Sequence, residues 1–165
     1  MATSPGTSWK RLAFSPTSLL FHINSNRFCG IIPHKFERLK LLFELDLSNN
    51  RFAGRFPDVV LRLPSLKFLD LRYNEFEGTV PKELFDKDLD AIFINDNRFV
   101  FDIPDNFGNS PVSVIVLANT RFHGCVPSSI GKYVEAQRDS SLEQWVEVLH
   151  PGGDRPAEEP SPSST

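Results

Sequence analysis

A chain of 165 residues with 40% hydrophobic content has room for one domain plus tails, and enough apolar material for a core of ordinary density. The net charge of -3 gives no case for a nucleic-acid partner, and two cysteines, Cys29 and Cys125, are too few for a disulfide framework and lack metal-ligand spacing. Phe occurs 15 times against 2 Trp and 2 Tyr, which points to a unit that repeats.

In chain order, residues 1–18 come first. Ser, Thr and Pro break up this stretch, and no apolar core of signal-peptide length is present, so it is expected to be a disordered segment without a secretion signal. The run Leu19–Ile23 is too short to span a bilayer, and no transmembrane segment is expected anywhere. Lys10, Arg11, Arg27 and Lys35 all precede Glu37, the first acidic residue.

From Leu19 the sequence repeats. Phe21-His-Ile-Asn-Ser-Asn26-Arg-Phe28 is followed by Leu45-Asp-Leu-Ser-Asn-Asn50-Arg-Phe52 and Leu69-Asp-Leu-Arg-Tyr-Asn74-Glu-Phe76. Two weaker copies run Ile92-Phe-Ile-Asn-Asp-Asn97-Arg-Phe99 and Ile115-Val-Leu-Ala-Asn-Thr120-Arg-Phe122. Pro33, Pro57, Pro81, Pro104 and Pro127 keep the same phase, as do Gly30, Gly54, Gly78 and Gly124, with Phe101 in the fourth Gly slot. In each copy two apolar residues flank one that points the other way, as in a strand. Asn26, Asn50, Asn74 and Asn97 can bond turn backbone that would otherwise be buried without partners, forming a structural ladder. Thr120 should fill that slot less well. Phe fills the core beneath the turn, and Gly permits a tight bend. The Gly-x-x-Pro spacing, as in Gly54-Arg-Phe-Pro57, marks the plant variety of the repeat. Segments such as 58–62 and 82–85 should cross the convex side, and the strand–crossover–strand unit should be right-handed. The expected fold is therefore α/β: a right-handed leucine-rich-repeat solenoid over 19–131, with about five plant-type repeats and a parallel sheet lining its concave face.

The first copy starts abruptly near Leu19, so its open edge is an expected aggregation or docking site. At the other end, over 132–150, Ser140-x-x-Glu143 fits a capping box, and Leu142, Trp145, Val146 and Leu149 recur at helical spacing before Pro151-Gly-Gly. The spacing predicts an amphipathic helix over about 141–150 that packs on the last repeat. Residues 151–165 are rich in Pro, Ser, Glu and Gly and should be disordered.

Alternation places His22 and Asn24 on the concave face. The later rungs add Glu44, Asp46 and Ser48; Phe68, Asp70 and Arg72; Ala91, Phe93 and Asn95; and Val114, Val116 and Ala118. Of these, Glu44, Asp46, Ser48, Phe68, Asp70, Arg72, Phe93 and Asn95 form the candidate peptide-binding set, because acid beside aromatic suits a basic, partly apolar peptide. The plainer alternative is that the aromatics cover a sheet and the acids keep it soluble. Arg27, Arg51, Arg98 and Arg121 share one slot, interrupted by Glu75. They form either a weak contact for acidic polysaccharide or, more simply, a solvated ridge. Cys29 and Cys125 lie four repeats apart, roughly 19 Å at the strand spacing. That is too far for a bond needing alpha carbons within about 7 Å, so two free thiols or intermolecular pairing are expected. Asp86-x-Asp88-x-Asp90 lacks the Gly and Glu of a calcium loop. His22, His34, His123 and His150 have no paired spacing, and no nucleophile triad or phosphate loop is found. No catalysis, cofactor or metal is expected.

The repeats carry more specific wording than their period. FHINSNRFCGI from Phe21, FPDVVLRLPSLKFLDLRYNEFEGTVP from Phe56 and FDKDLDAIFINDNRF from Phe85 closely resemble the leucine-rich-repeat extensins of plant cell walls, including the pollen extensin-like group. The resemblance runs from about Leu19 to Gly131. It implies a secreted, cell-wall protein whose repeat domain binds small basic signalling peptides of the rapid-alkalinization-factor class and acts in wall assembly and growth control. In the family a cysteine-rich hinge and a Ser-Pro-Pro-Pro-Pro region follow the repeats. This chain shows no signal peptide, hinge or extensin region and fewer repeats, and Pro160-Ser-Pro-Ser-Ser is not an extensin repeat, so a truncated repeat domain is expected. The alternatives are a structural wall component, a repeat protein contacting pectin or pectinase, and a degenerate fragment without function.

Overall fold

Each aliphatic–x–aliphatic segment forms a short strand, and a second extended segment follows each turn. The computed structural model describes residues 17–122, 125–132 and 146–147. In chain order the strands are β1 (Leu20–His22), β2 (Cys29–Gly30), β3 (Glu44–Asp46), β4 (Arg51–Arg55), β5 (Phe68–Asp70), β6 (Glu75–Gly78), β7 (Ala91–Phe93), β8 (Arg98–Phe101), β9 (Val114–Val116), β10 (Arg121–Phe122) and β11 (Val146–Glu147). One parallel sheet has the order β1-β3-β5-β7-β9-β11. Its register aligns Phe21, Leu45, Leu69, Ile92 and Ile115 on successive rungs. The last four are fully buried, as are Leu47, Leu71, Ile94 and Leu117.

Each proline opens the crossover to the far side. Short 3₁₀ turns at His34–Arg38, Asp58–Arg62 and Asp105–Asn109 follow Pro33, Pro57 and Pro104, and α1 (Glu83–Asp86) follows Pro81 by two residues. The carbonyls of Pro33, Pro57, Pro81 and Pro104 accept the N–H of Phe36, Val60, Leu84 and Phe107. Proline suits this place because its φ is pre-set and a first-turn N–H would have no partner in the turn.

The asparagines hold the turns as the sequence implies. Asn74 donates from Nδ2 to the carbonyls of Leu47, Leu71 and Arg72, and its Oδ1 accepts the N–H of Phe52. Asn50 and Asn97 repeat the pattern one rung to either side. Asn26, on the terminal rung, donates to Ile23 and Asn24. Thr120 offers a single bond from Oγ1 to the Leu117 carbonyl.

Two features lie beyond the sequence reading. The residue before each ladder position is left-handed: Ser25, Asn49, Tyr73, Asp96 and Asn119 all have φ between 52° and 55°. A side chain at such a φ is strained unless it is Gly or a short Asn or Asp. Tyr73 is half exposed, and the same slot holds Asn49, Asp96 and Asn119 elsewhere. Tyr73→Asn should therefore raise stability by about 1 kcal/mol. Urea unfolding measures this, and a drop in midpoint would show that the ring contributes more than its backbone costs.

The second feature is another parallel sheet, β10-β8-β6-β4-β2, on the flank. There Phe28, Phe52, Phe76 and Phe99 stack in a column. Gly54 has φ 93°, and a Cβ on it would come within 3.0 Å of Ile31 Cγ2, so a side chain is unwelcome on both counts.

The helix expected over 141–150 is corrected at Val146–Glu147. These residues are extended and pair in parallel with Ile115 and Val116. Without them the N–H and C=O groups on that side of β9 would form an unpaired edge. A short apolar run does not separate helix from strand by its period, and Trp145, Val146 and Val148 favour the extended form. The rest of that segment, and the expectations for 1–16 and 151–165, lie outside the described residues. At the opposite end Phe21, Ile23 and Phe28 occupy the slots of Leu45, Leu47 and Phe52 but are only partly buried, and Leu19, Leu20 and Ile31 are exposed. Among the described residues no helix is long and apolar enough to cross a membrane.

Candidate functional site

Parallel register turns the outward residues of the concave sheet into two rows. One is Leu20, Glu44, Phe68, Ala91, Val114; the other is His22, Asp46, Asp70, Phe93, Val116. Over these five rungs the ionisable groups lie on the first three. From Phe68 and Phe93 to Val114 and Val116 the rows are aromatic or aliphatic, and in the second row the register then brings Glu147 next to Val116.

Within the acidic half, His22 Nε2 lies 3.1 Å from Glu44 Oε1. Asp46 Oδ1 accepts the N–H of Ser48, and Asp70 Oδ1 that of Arg72. Arg72 Nε is 2.9 Å from Asp70 Oδ2, an ion pair in which Nε is not aligned as a hydrogen-bond donor. The guanidinium of Arg72 sits over the Phe93 ring, 5.2 Å from its centroid. Phe68 packs against Phe43, with centroids 5.4 Å apart.

Phe43, 40% exposed, is missing from the sequence-derived set. Strict alternation puts it inward with Leu45, but the strand begins only at Glu44. The signal was available in the same slot of later rungs, which holds Lys67, Asp90 and Ser113. Ser48 and Asn95 are corrections in the other direction, since only 2% and 7% of their surfaces are exposed. The strands end at Asp46 and Phe93, so Ser48 and Asn95 lie in the turn and present almost nothing to a ligand, whereas the longer Arg72 of the same slot still reaches the surface. Glu44, Asp46, Phe68, Asp70, Arg72 and Phe93 remain accessible in part.

The arginine row is less basic than its sequence. Glu75, the residue that interrupts it, lies 3.8 Å from Arg51 and 3.1 Å from Arg98. Such exposed pairs contribute little stability, but the one carboxylate offsets half of the positive charge in the middle of the ridge. Arg27 and Arg121 are exposed at its two ends. The acidic loop has a similar account. Lys67 Nζ reaches Asp88 at 2.8 Å and Asp90 at 3.8 Å, and the hydrogen bond to Asp88 raises its pKa against the opposing effect of burial. Among the described residues no three His, Cys, Asp or Glu side chains are placed to hold a metal ion. Cys29 and Cys125 are free and exposed.

Asp70 is the perturbed group of the face. Burial pushes its pKa up to about 6, against the opposing hydrogen bond and charge of Arg72, and Asp46 adds to the rise. The folded chain therefore holds this proton where the unfolded chain has lost it. The resulting stabilisation is complete below about pH 4 and is lost as pH rises through about 6. Discounted for solvent screening at this partly open site, the swing is on the order of 2 kcal/mol. Asp70→Asn keeps an acceptor for the Arg72 N–H and removes the titration, so its stability should vary less between pH 4 and 7. Parallel urea-derived stability curves for the two proteins would sink this assignment.

Two parallel sheets, asparagine-held turns and a sheet-lined concave face define a right-handed leucine-rich-repeat solenoid. A family model described as "Leucine rich repeat" matches residues 20–76. The chain is 80% identical over 111 residues to leucine-rich repeat extensin-like protein 4 of Arabidopsis thaliana, covering 67% of this chain and 22% of that protein. It is 84% identical over 111 residues to leucine-rich repeat extensin-like protein 3 of the same plant, covering 67% of this chain and 15% of that protein. A solved structure of the Arabidopsis receptor kinase HAESA with the peptide hormone IDA and the co-receptor SERK1 superposes with TM-score 0.62 at 30% identity, over 67% of this chain and 19% of that one. The chain is thus a leucine-rich-repeat protein, and its repeats are those of the plant extensin-like family. It spans about a fifth or less of the length of these two relatives.

Proposed function

We propose that this chain is a non-catalytic extracellular module of the plant cell wall whose repeat domain, residues 19–131, binds a small basic peptide on its concave face. Glu44, Asp46 and Asp70 would take the cationic groups, and Phe43, Phe68 and Phe93 the apolar ones. The observation that carries this is the register that sets Asp46 beside Asp70 and both beside an aromatic half-face. A ligand with both chemistries gains from each, and the acids also steer its approach. Support comes from the HAESA structure, whose solenoid is in complex with a peptide hormone, and from the extensin-like relatives, which suggest the wall.

Titration calorimetry with a small basic peptide of the rapid-alkalinization-factor class tests it, using the same peptide with Lys and Arg replaced by Gln as the control. Saturable binding of the basic peptide alone is expected. Asp46→Lys should weaken it tenfold or more, at least about 1.4 kcal/mol, because a like charge replaces a partner on the face. Equal affinity for wild type and variant would remove the site assignment.

A further inference from the structure

We propose that Arg72 occupies, in the free protein, the subsite that a ligand's cationic side chain takes, and that binding displaces it. This rests on the peptide reading above and names the chemistry of its central subsite. A guanidinium held between a carboxylate and an aromatic face is in the setting a basic ligand side chain would seek. Arg72 already has both, with Asp70 Oδ2 at 2.9 Å and the Phe93 centroid at 5.2 Å. Three observations argue that it is an occupant and not a strut. Its Nε is poorly aligned with the carboxylate, so a better-aligned cation can replace it. Its side chain remains 42% exposed while that of Asp70 is 13% exposed, so the guanidinium is the open member of the pair and can move aside into solvent. The repeat itself does not require an arginine there, because the same slot holds Asn24, Ser48, Asn95 and Ala118 on the other rungs. The subsite would therefore favour a guanidinium, which stacks on Phe93, over an ammonium.

The test uses a probe that does not depend on the natural ligand. N-acetyl-arginine amide is titrated into wild type, Arg72→Ala and Arg72→Ala/Asp70→Asn, with the ring signals of Phe93 followed by NMR and folding checked by the thermal midpoint. Arg72→Gln, which keeps most of the stem, serves as the second single variant. A saturable shift of Phe93 is expected in the single variants, at least fivefold weaker in wild type, and lost in the double variant. An equal response in wild type, or an undiminished one in the double variant, overturns the proposal. With the basic peptide, Arg72→Ala should bind about fivefold to tenfold tighter than wild type, the size of an ordinary coupling. Weaker binding would mean that Arg72 touches the ligand and would also overturn it. Failure of the peptide reading has a separate signature: no peptide heat in wild type or variant, while the small probe still enters Arg72→Ala.

Discussion

Asn74→Ala should destabilise the repeat domain by about 3 kcal/mol, whereas Thr120→Ala should cost about 1 kcal/mol. Both side chains fill the same slot, so the difference measures the ladder itself. Asn74 makes four hydrogen bonds from a buried position, and Thr120 offers one. The loss is smaller than four orphaned groups would give, because most of the acceptors are shared. The Leu47 carbonyl keeps Asn50, the Leu71 carbonyl keeps Asn97, and the Arg72 carbonyl keeps the N–H of Asn49. The N–H of buried Phe52 is the group left stranded, and that alone costs about 1–3 kcal/mol. Urea unfolding of the three proteins gives the numbers. Equal losses for the two variants would mean that the turns are held by something other than these amides.

The legible part of the fold was whatever recurs in phase. The aliphatic pairs, Asn50, Asn74 and Asn97, and the prolines each repeat one job per rung, and the structure gives them those jobs. The hidden part follows from geometry that alternation does not encode. The second sheet depends on the chain re-entering extended backbone after each ladder residue, and the left-handed residue that makes this possible is Ser, Asn, Tyr or Asp, with no common side chain to mark it. Strands only three residues long limit the alternation rule to Glu44–Asp46 and its equivalents. Beyond those ends Ser48 and Asn95 turned inward and Phe43 outward. Val146–Glu147 were misjudged because a pattern of four apolar residues fits a helix face, while the open edge of β9 rewards a strand. The acidic and aromatic rungs of the concave face were visible, but the seating of Arg72 between Asp70 and Phe93 required coordinates, since residues 70, 72 and 93 meet only through strand register.

Phe76→Ala should cost about 4 kcal/mol, and Phe76→Leu about 1–2 kcal/mol. The ring is fully buried in the middle of the column, 6.4 Å from Phe52 and 6.1 Å from Phe99, with planes within 12° and 3° of parallel. Removing it opens a cavity between two rungs and deletes two offset stacks at once. Phe28→Ala should cost clearly less, because Phe28 is only partly buried and has a stacking neighbour on one side. The central position adds a further effect. In a solenoid each rung is stabilised mainly by its neighbours, so weakening the third rung uncouples the two halves of the stack. The unfolding of Phe76→Ala should therefore become broader as well as earlier, with a lower denaturant slope, while Phe28→Ala keeps the wild-type slope. A loss below 1 kcal/mol in Phe76→Ala with an unchanged slope would contradict the column's role. Phe76 is buried in the flank column and belongs to the second sheet, so on the proposed peptide reading the same variant should leave peptide affinity unchanged in conditions where it is fully folded. Affinity lost without unfolding would mean that the binding face relies on the phenylalanine column directly.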